Sequence, residues 1–343
     1  TTENARIWVN GLTLSYKSDA FYRFGLGATA QFASVKSRQD KSDKYKSTMN
    51  ASGTVMSELY LMYTYGKTVF KVGRQYFWTP VVGGSSLRFI KQSFEGYSLT
   101  NKDLPQTKIT AAFFPKFQER TDGSGAAPDF GTTRVGVDGA TTVFVRNSSI
   151  HSLDLQFQYA QATESATGLG NGHQIFYVDA NYEFSMEWNT SITAQYMQTV
   201  YEQAGQDIGE AFGAKIAIKK NSWNLFVAYT SVGEENSVKQ GIGSGSVPLF
   251  TNGATMNAWS AALSGTKASK IGLSYGIEDS VVEASRVEYD RVGYSLSSET
   301  NLSFSYEAIK NFVAQIQYSI FTNHYLYEAD INSNLCTRLI YSF

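Results

Sequence analysis

The feature that most limits what this chain can fold into is an alternation of apolar and polar residues that recurs from end to end without a helical interruption. A period of two places successive side chains on opposite faces of a strand. Between Phe21 and Phe32, one face holds Tyr22, Phe24, Leu26, Ala28, Ala30 and Phe32, and the other holds Arg23, Gly25, Gly27, Thr29 and Gln31. The same division separates Leu59, Leu61, Tyr63 and Tyr65 from Glu58, Tyr60, Met62 and Thr64. It separates Phe176, Val178, Ala180, Tyr182 and Phe184 from Tyr177, Asp179, Asn181 and Glu183. The pattern predicts strands over 6–17, 20–35, 53–65, 68–77, 94–100, 107–117, 134–146, 150–162 and 173–184. It continues over 189–201, 209–220, 222–232, 258–265, 270–277, 286–296, 299–307, 311–321 and 334–343, eighteen candidates in all.

Composition says where such strands can live. The chain carries 22 Tyr, 22 Phe and 29 Gly against 5 Pro, yet its mean hydropathy is only −0.25. A soluble domain would hide that many rings in a clearly apolar core. A barrel with a wet lumen and a lipid-facing exterior accounts for the mixture. No apolar run of about 18 residues occurs, so helices do not span a membrane here and only strands could. With 29 Lys+Arg against 30 Asp+Glu, the net charge of −1 offers nucleic acid no general attraction. The start, Thr1-Thr2-Glu3-Asn4, has no charged n-region or apolar h-region, so an export signal is expected to be already removed or never present. Cys336 is the sole cysteine and reads as a small filler residue.

Connections between candidates alternate in length, as expected when one rim has tight turns and the other long loops. Short links fall at Ser18-Asp19, Gly66-Lys67, 101–106, 147–149, 185–188 and Asn221, and long ones at 35–52, 79–93, 118–133, 163–172, 202–208 and 233–257. Because the first link is short, the first strand is expected to run from outside inward, and a barrel with both termini in the periplasm would lack one strand at the start. A chain starting outside and ending in the periplasm needs an odd number of strands. One candidate between 258 and 321 must therefore be false, or two must be one. The closing strand alternates Leu335, Thr337, Leu339, Tyr341 and Phe343 with Cys336, Arg338, Ile340 and Ser342, and it stops on an aromatic residue. That terminus resembles the recognition signal of bacterial outer-membrane barrels.

The stretch Val72-Gly73-Arg74, Thr79-Pro80-Val81 and Ser86-Leu87-Arg88-Phe89-Ile90-Lys91-Gln92-Ser93-Phe94-Glu95-Gly96-Tyr97 resembles the OprD-type substrate-specific porins. In these a Val-Gly strand end, a Pro-Val loop and an Arg-bearing segment precede a Gln-x-Phe-x-Gly motif. Gly11 to Ser18 with Phe24-Gly25-Leu26-Gly27 resembles that family's second hairpin, and Arg338 to Ser342 its last strand. The detailed match covers about a quarter of the chain; Lys91 stands where the family often has Pro, and the later loops match poorly. The resemblance implies an all-β barrel of about 18 strands, a single domain over 1–343, whose third extracellular loop folds into the lumen. It also implies a row of basic side chains guiding carboxylates, with Arg88 and Lys91 on the constricting segment.

Strand parity adds its own list of lumen-facing charges. Arg23, Lys71, Lys215, Lys219 and Arg338 are expected to face inward, opposed by Glu58, Asp154, Asp179 and Glu183. A basic file facing an acidic one sets up a transverse field that orients a zwitterion or draws a carboxylate along. Arg23, Arg88 and Arg338 suit this best, because a guanidinium holds a carboxylate bidentately. Lys36, Arg38, Lys41, Lys44 and Lys46, with Asp40 and Asp43, read as a solvated loop or a contact for lipopolysaccharide phosphates. Gly241 to Ser246 reads as a flexible loop and not as a phosphate cradle. His151, His173 and His324 occur singly, without metal or triad spacing, so neither catalysis, a metal nor a cofactor is expected. The leading expectation is a passive outer-membrane channel for small, carboxylate-bearing or amino-acid-like nutrients, in contact with membrane lipid and lipopolysaccharide, as a monomer or homotrimer. The alternatives are a general diffusion porin and a non-conducting adhesin or receptor, the latter suggested by the 233–257 loop.

Overall fold

The computed structural model describes residues 6–39, 51–164, 172–184, 187–202, 208–254, 260–291, 297–307, 309, 311–323 and 330–342. Lys41, Lys44, Lys46, His324 and Phe343 lie outside them. Among the described residues seventeen long strands form one antiparallel meander, each pairing with its neighbours in chain order. They are β1 (Arg6–Lys17), β2 (Phe24–Gln39), β3 (Gly53–Tyr65), β4 (Thr68–Gln75), β5 (Ser93–Asn101) and β6 (Thr107–Gln118). Then come β7 (Ala140–Asn147), β8 (Leu153–Ala162), β9 (His173–Phe184), β10 (Asn189–Tyr201), β11 (Ile208–Lys220) and β12 (Trp223–Val232). The series ends with β13 (Thr266–Ile277), β14 (Ser280–Arg291), β15 (Ser297–Tyr306), β16 (Phe312–Asn323) and β17 (Asp330–Tyr341). Among the described residues no ladder joins β1 to β17.

The strand number is odd, and the false candidate is 258–265. Ser260–Ala262 is a single 3-10 turn whose Ala261 and Ala262 are buried under a long connection. Its apolar run imitates a strand because it packs against the wall instead of pairing with it. The candidate at 134–146 starts late, at Ala140, because Gly136 and Gly139 take φ of 86° and 88° and hold Thr132 to Gly139 in turns. With these corrections, short and long connections alternate from β1 to β14.

Burial is inverted relative to a soluble sheet. Leu12, Leu14, Leu26, Leu59, Leu61, Val227, Ile271, Leu273 and Leu302 are exposed, while Gln31, Ser57, Gln158, Thr199, Glu299 and Ser319 are buried. Directly paired residues share a face, so the ladder Leu61↔Val72↔Tyr97↔Phe113 fixes the outward side from strand to strand. Rings cluster near the short-turn rim, where Trp223 packs at a tilt on Tyr275 at 4.2 Å and Phe24 on Tyr63 at 4.9 Å. Amphipathic rings at that level suit a membrane interface.

Candidate functional site

Two long connections leave the rim and occupy the lumen. The first, residues 76–92, begins as a small hairpin in which Trp78 pairs with Gly83 and Thr79 with Val82. Gln158, inward-facing on β8 and fully buried, accepts from the Val81 N–H at 2.9 Å and donates to Thr79 Oγ1 at 2.7 Å. At the far end Gln31 on β2, also fully buried, donates to the Phe89 carbonyl at 2.8 Å and accepts from the Lys91 N–H at 3.0 Å. Arg338 on β17 donates to the Leu87 carbonyl at 2.8 Å. The connection is thus fastened to three separate parts of the wall and lies across the lumen. Its root is sealed by Phe77, Phe94, Phe114 and Phe117, with ring centroids 4.6 to 4.9 Å apart between Phe94 and Phe114, Phe94 and Phe117, and Phe77 and Phe114.

The second connection, 233–265, docks on the first. Ile242 forms a parallel bridge with Val82: Gly83 N–H donates to the Ile242 carbonyl at 3.0 Å, and Ile242 N–H to the Val81 carbonyl at 2.9 Å. Gly245 N–H donates to the Gly83 carbonyl at 2.9 Å, and Ser246 Oγ to the Thr79 carbonyl at 3.1 Å. The expectation of a flexible Gly241–Ser246 loop is overturned. The glycines are there for close approach: Gly243 has φ 86°, and a Cβ on it would stand 2.3 Å from the Gly83 carbonyl. Further along, Gln195 donates to the Pro248 carbonyl at 2.9 Å, Tyr289 to that of Thr251 at 3.0 Å, and Lys270 Nζ to that of Asn252 at 2.7 Å.

The expected charges distribute unevenly around this constriction. Lys71 lies over the Tyr60 ring at 4.4 Å, Lys91 over Tyr76 at 5.6 Å and Lys215 over Phe250 at 5.1 Å. Lys219 and Glu183 are exposed toward the short-turn rim. Glu58 accepts from Thr29 Oγ1 at 2.7 Å and from the Tyr76 N–H at 3.2 Å. Asp179 is buried and accepts from the Tyr177 hydroxyl at 2.6 Å. Asp154 is ion-paired with Arg146 at 2.7 Å. Acidic and basic groups therefore interleave along the wall and do not form two facing files. Arg23 falls outside the row: it sits in the β1–β2 turn with φ 73°, and its guanidinium lies 4.8 Å from the outward Tyr65 ring. Parity arguments hold only for extended backbone, and Tyr22 (φ 45°) and Arg23 leave it.

Lys108, Arg146 and Lys270 face inward by the same alternation and belong beside the expected charges, whereas parity could not find Arg120, which lies on a loop. Arg120 stands in the connection after β6, and its pKa is lowered by burial and then by the neighbouring Arg88 guanidinium. Its Nε is buried without a hydrogen-bond partner among the described residues. Beside it Arg134 is paired with Glu119, which also accepts from Gln92 at 2.8 Å. Arg338 further lines a cavity of about 290 Å³ with Glu283, Ser303, Gln315 and Gln317, below Ala254. Arg88 on the segment crossing the lumen and the desolvated Arg120 on the neighbouring connection can together hold an oxyanion in transit.

A meander with a polar interior, an apolar exterior and a loop strapped across its bore defines an outer-membrane porin. The match to the family model for outer membrane porins of the OprD family spans residues 8–262, and the chain belongs to that family. Its members are channels and not enzymes, and they sit in the bacterial outer membrane, which makes the long-loop rim extracellular. Among solved structures, Pseudomonas aeruginosa OpdK with vanillate superposes with a TM-score of 0.80 at 12% identity, covering 98% of this chain and 92% of that one. Acinetobacter baumannii OccAB4 gives 0.77 at 17% identity over 98% and 91%. Pseudomonas aeruginosa OccD3 (OpdP) gives 0.75 at 15% identity over 97% and 86%. No curated protein matches the chain. The adhesin alternative falls with the family, and the loop that suggested it is turned into the lumen.

Proposed function

We propose that the channel passes small carboxylate-bearing solutes, which are drawn through the constriction by Arg88 of the first inward connection and Arg120 of the connection after β6. The observation that carries this reading is the buried Arg120 Nε, which lacks an acceptor among the described residues, with the Arg88 guanidinium near enough to add to the effect of burial in lowering its pKa. A transient carboxylate relieves the repulsion and supplies that acceptor. Arg338, bonded to the carbonyl of Leu87 next door, is the following cationic station. Lys71, Lys91, Lys215 and Lys219 bias the bore toward anions, while Glu58, Asp154, Asp179 and Glu183 keep each stop weak. OpdK, similar in fold, has been seen with vanillate, a carboxylate. The test is planar-bilayer current in chloride with vanillate as the added solute. Saturable block of the current is expected, weakened about tenfold in Arg120→Gln, which amounts to one lost charge-assisted hydrogen bond. A large current indifferent to vanillate would instead favour general diffusion.

A further inference from the structure

Among the described residues the outer wall carries a charge cluster with an excess positive charge that the channel does not use. Arg74 on β4, Glu95 on β5 and Lys116 on β6 stand in register, Arg74↔Glu95↔Lys116, and the row begins at the exposed Leu59 of β3. All three therefore point away from the lumen. One row nearer the short-turn rim lies the lipid-compatible ladder Leu61, Val72, Tyr97 and Phe113. The cluster thus sits directly above the apolar band on the extracellular side, at headgroup level.

A bulge builds it. Glu95 opposes Lys116 and Tyr97 opposes Phe113, so β6 carries an extra residue opposite Gly96. In an unbroken strand, 113 and 116 would face opposite sides; the bulge turns both outward. Gly96 is required there, with φ 155° and a hypothetical Cβ 2.1 Å from the Phe113 carbonyl. Glu95 takes only the Nε of Arg74, at 3.0 Å, and touches Lys116 loosely at 3.6 Å. Among the described residues the Arg74 Nη groups have no hydrogen-bond acceptor. Phe130 lies 4.4 Å from the guanidinium and holds its plane against the wall.

Two cations around one carboxylate leave one positive charge. The other outward cluster, on β13 to β15, is self-neutralised: Arg286 pairs with Glu288 at 2.9 Å, and Lys267 stands opposite Asp290. We infer that Arg74 and Lys116 form a phosphate-binding site for the phosphorylated glycolipid of the outer leaflet, with Glu95 as the spacer that sets the distance between the cations. A phosphate oxygen takes the Arg74 Nη donors while the Lys116 ammonium closes on a second oxygen.

Native mass spectrometry of the folded barrel with bisphosphorylated lipid A, dephosphorylated lipid A and phosphatidylglycerol as separate probes tests this. Wild type is expected to retain bisphosphorylated lipid A, Arg74→Ala/Lys116→Ala to lose it about tenfold, and Arg286→Ala to keep it. Glu95→Gln should tighten retention several-fold, since it removes the competing anion; a purely structural ion pair predicts no gain. Lys116→Ala alone serves if the double variant fails the heat-modifiable gel shift of a folded barrel. Equal retention of the dephosphorylated lipid or of phosphatidylglycerol, unchanged retention in a folded Lys116→Ala, or weaker retention in Glu95→Gln would overturn the assignment.

Discussion

The two connections that fill the lumen are held by different means. Residues 76–92 are gripped by buried side chains of the wall, Gln158 at one end and Gln31 at the other, each making several hydrogen bonds. Residues 233–265 are held by wall side chains at both ends, Tyr201 and Thr199 at the near one and Gln195, Lys270 and Tyr289 at the far one, and in the middle by backbone pairing to the first connection. Only the middle of the second loop thus leans on the first, while the ends of both loops are fastened to the wall. A constriction built this way should open in stages.

The largest effect is expected from Gln158→Leu. It leaves the buried Val81 N–H unpaired and removes two further bonds, to Thr79 and Thr142. An unsatisfied buried donor plus a broken network costs about 2 to 4 kcal/mol. The first connection should leave the bore and release the middle of the second, which single-channel recording would register as a large rise in conductance and loss of solute block. A conductance near wild type would mean that the aromatic root around Phe94 is sufficient to hold them.

Gly243→Val separates the two loops. The valine must adopt a left-handed φ of 86° with its Cβ against the Gly83 carbonyl, a strain of about 2 kcal/mol before the clash is counted. The middle of the second connection should detach while its wall-anchored ends and the first connection stay, giving an intermediate conductance and an unchanged urea midpoint for the barrel. Unfolding of the barrel itself would show that the hierarchy runs the other way.

That hierarchy explains how much was legible in the sequence. Strand periodicity reports a face turned to lipid, and it located β1 to β6 and β9 to β12 to within a few residues. The resemblance marked 79–93 as inward-folding, because its Pro-Val and Arg-bearing segments have a recognisable local pattern. Nothing local marks 233–265: its Gly and Ser residues suit free solvent as well as close backbone packing, and only the partner strand at Val82 decides between them. The 260–262 turn was misread because burial without pairing leaves the same apolar signature as a strand. Of the channel charges, those on regular strands follow parity. Arg23 leaves the pattern at a positive φ, and Arg120 lies on a loop where parity has no meaning.

The smallest effect is expected at the far end of the second connection, from Lys270→Met. Lys270 Nζ donates to the Asn252 carbonyl at 2.7 Å and lies 5.9 Å from the Phe226 ring. Methionine keeps the length and the ring contact but loses the charge-assisted bond. The neighbouring bonds of Tyr289 to Thr251 and Gln195 to Pro248 remain, so the loop should hold and the cost should stay near 1 kcal/mol. What changes is the field: one cation leaves a wall already balanced by Asp179 and Glu299, so the reversal potential in a salt gradient should move toward cations while conductance scarcely changes. A conductance jump comparable to that of Gly243→Val would mean that the wall end fastens the second loop as firmly as the backbone pairing does, and the staged opening would be lost.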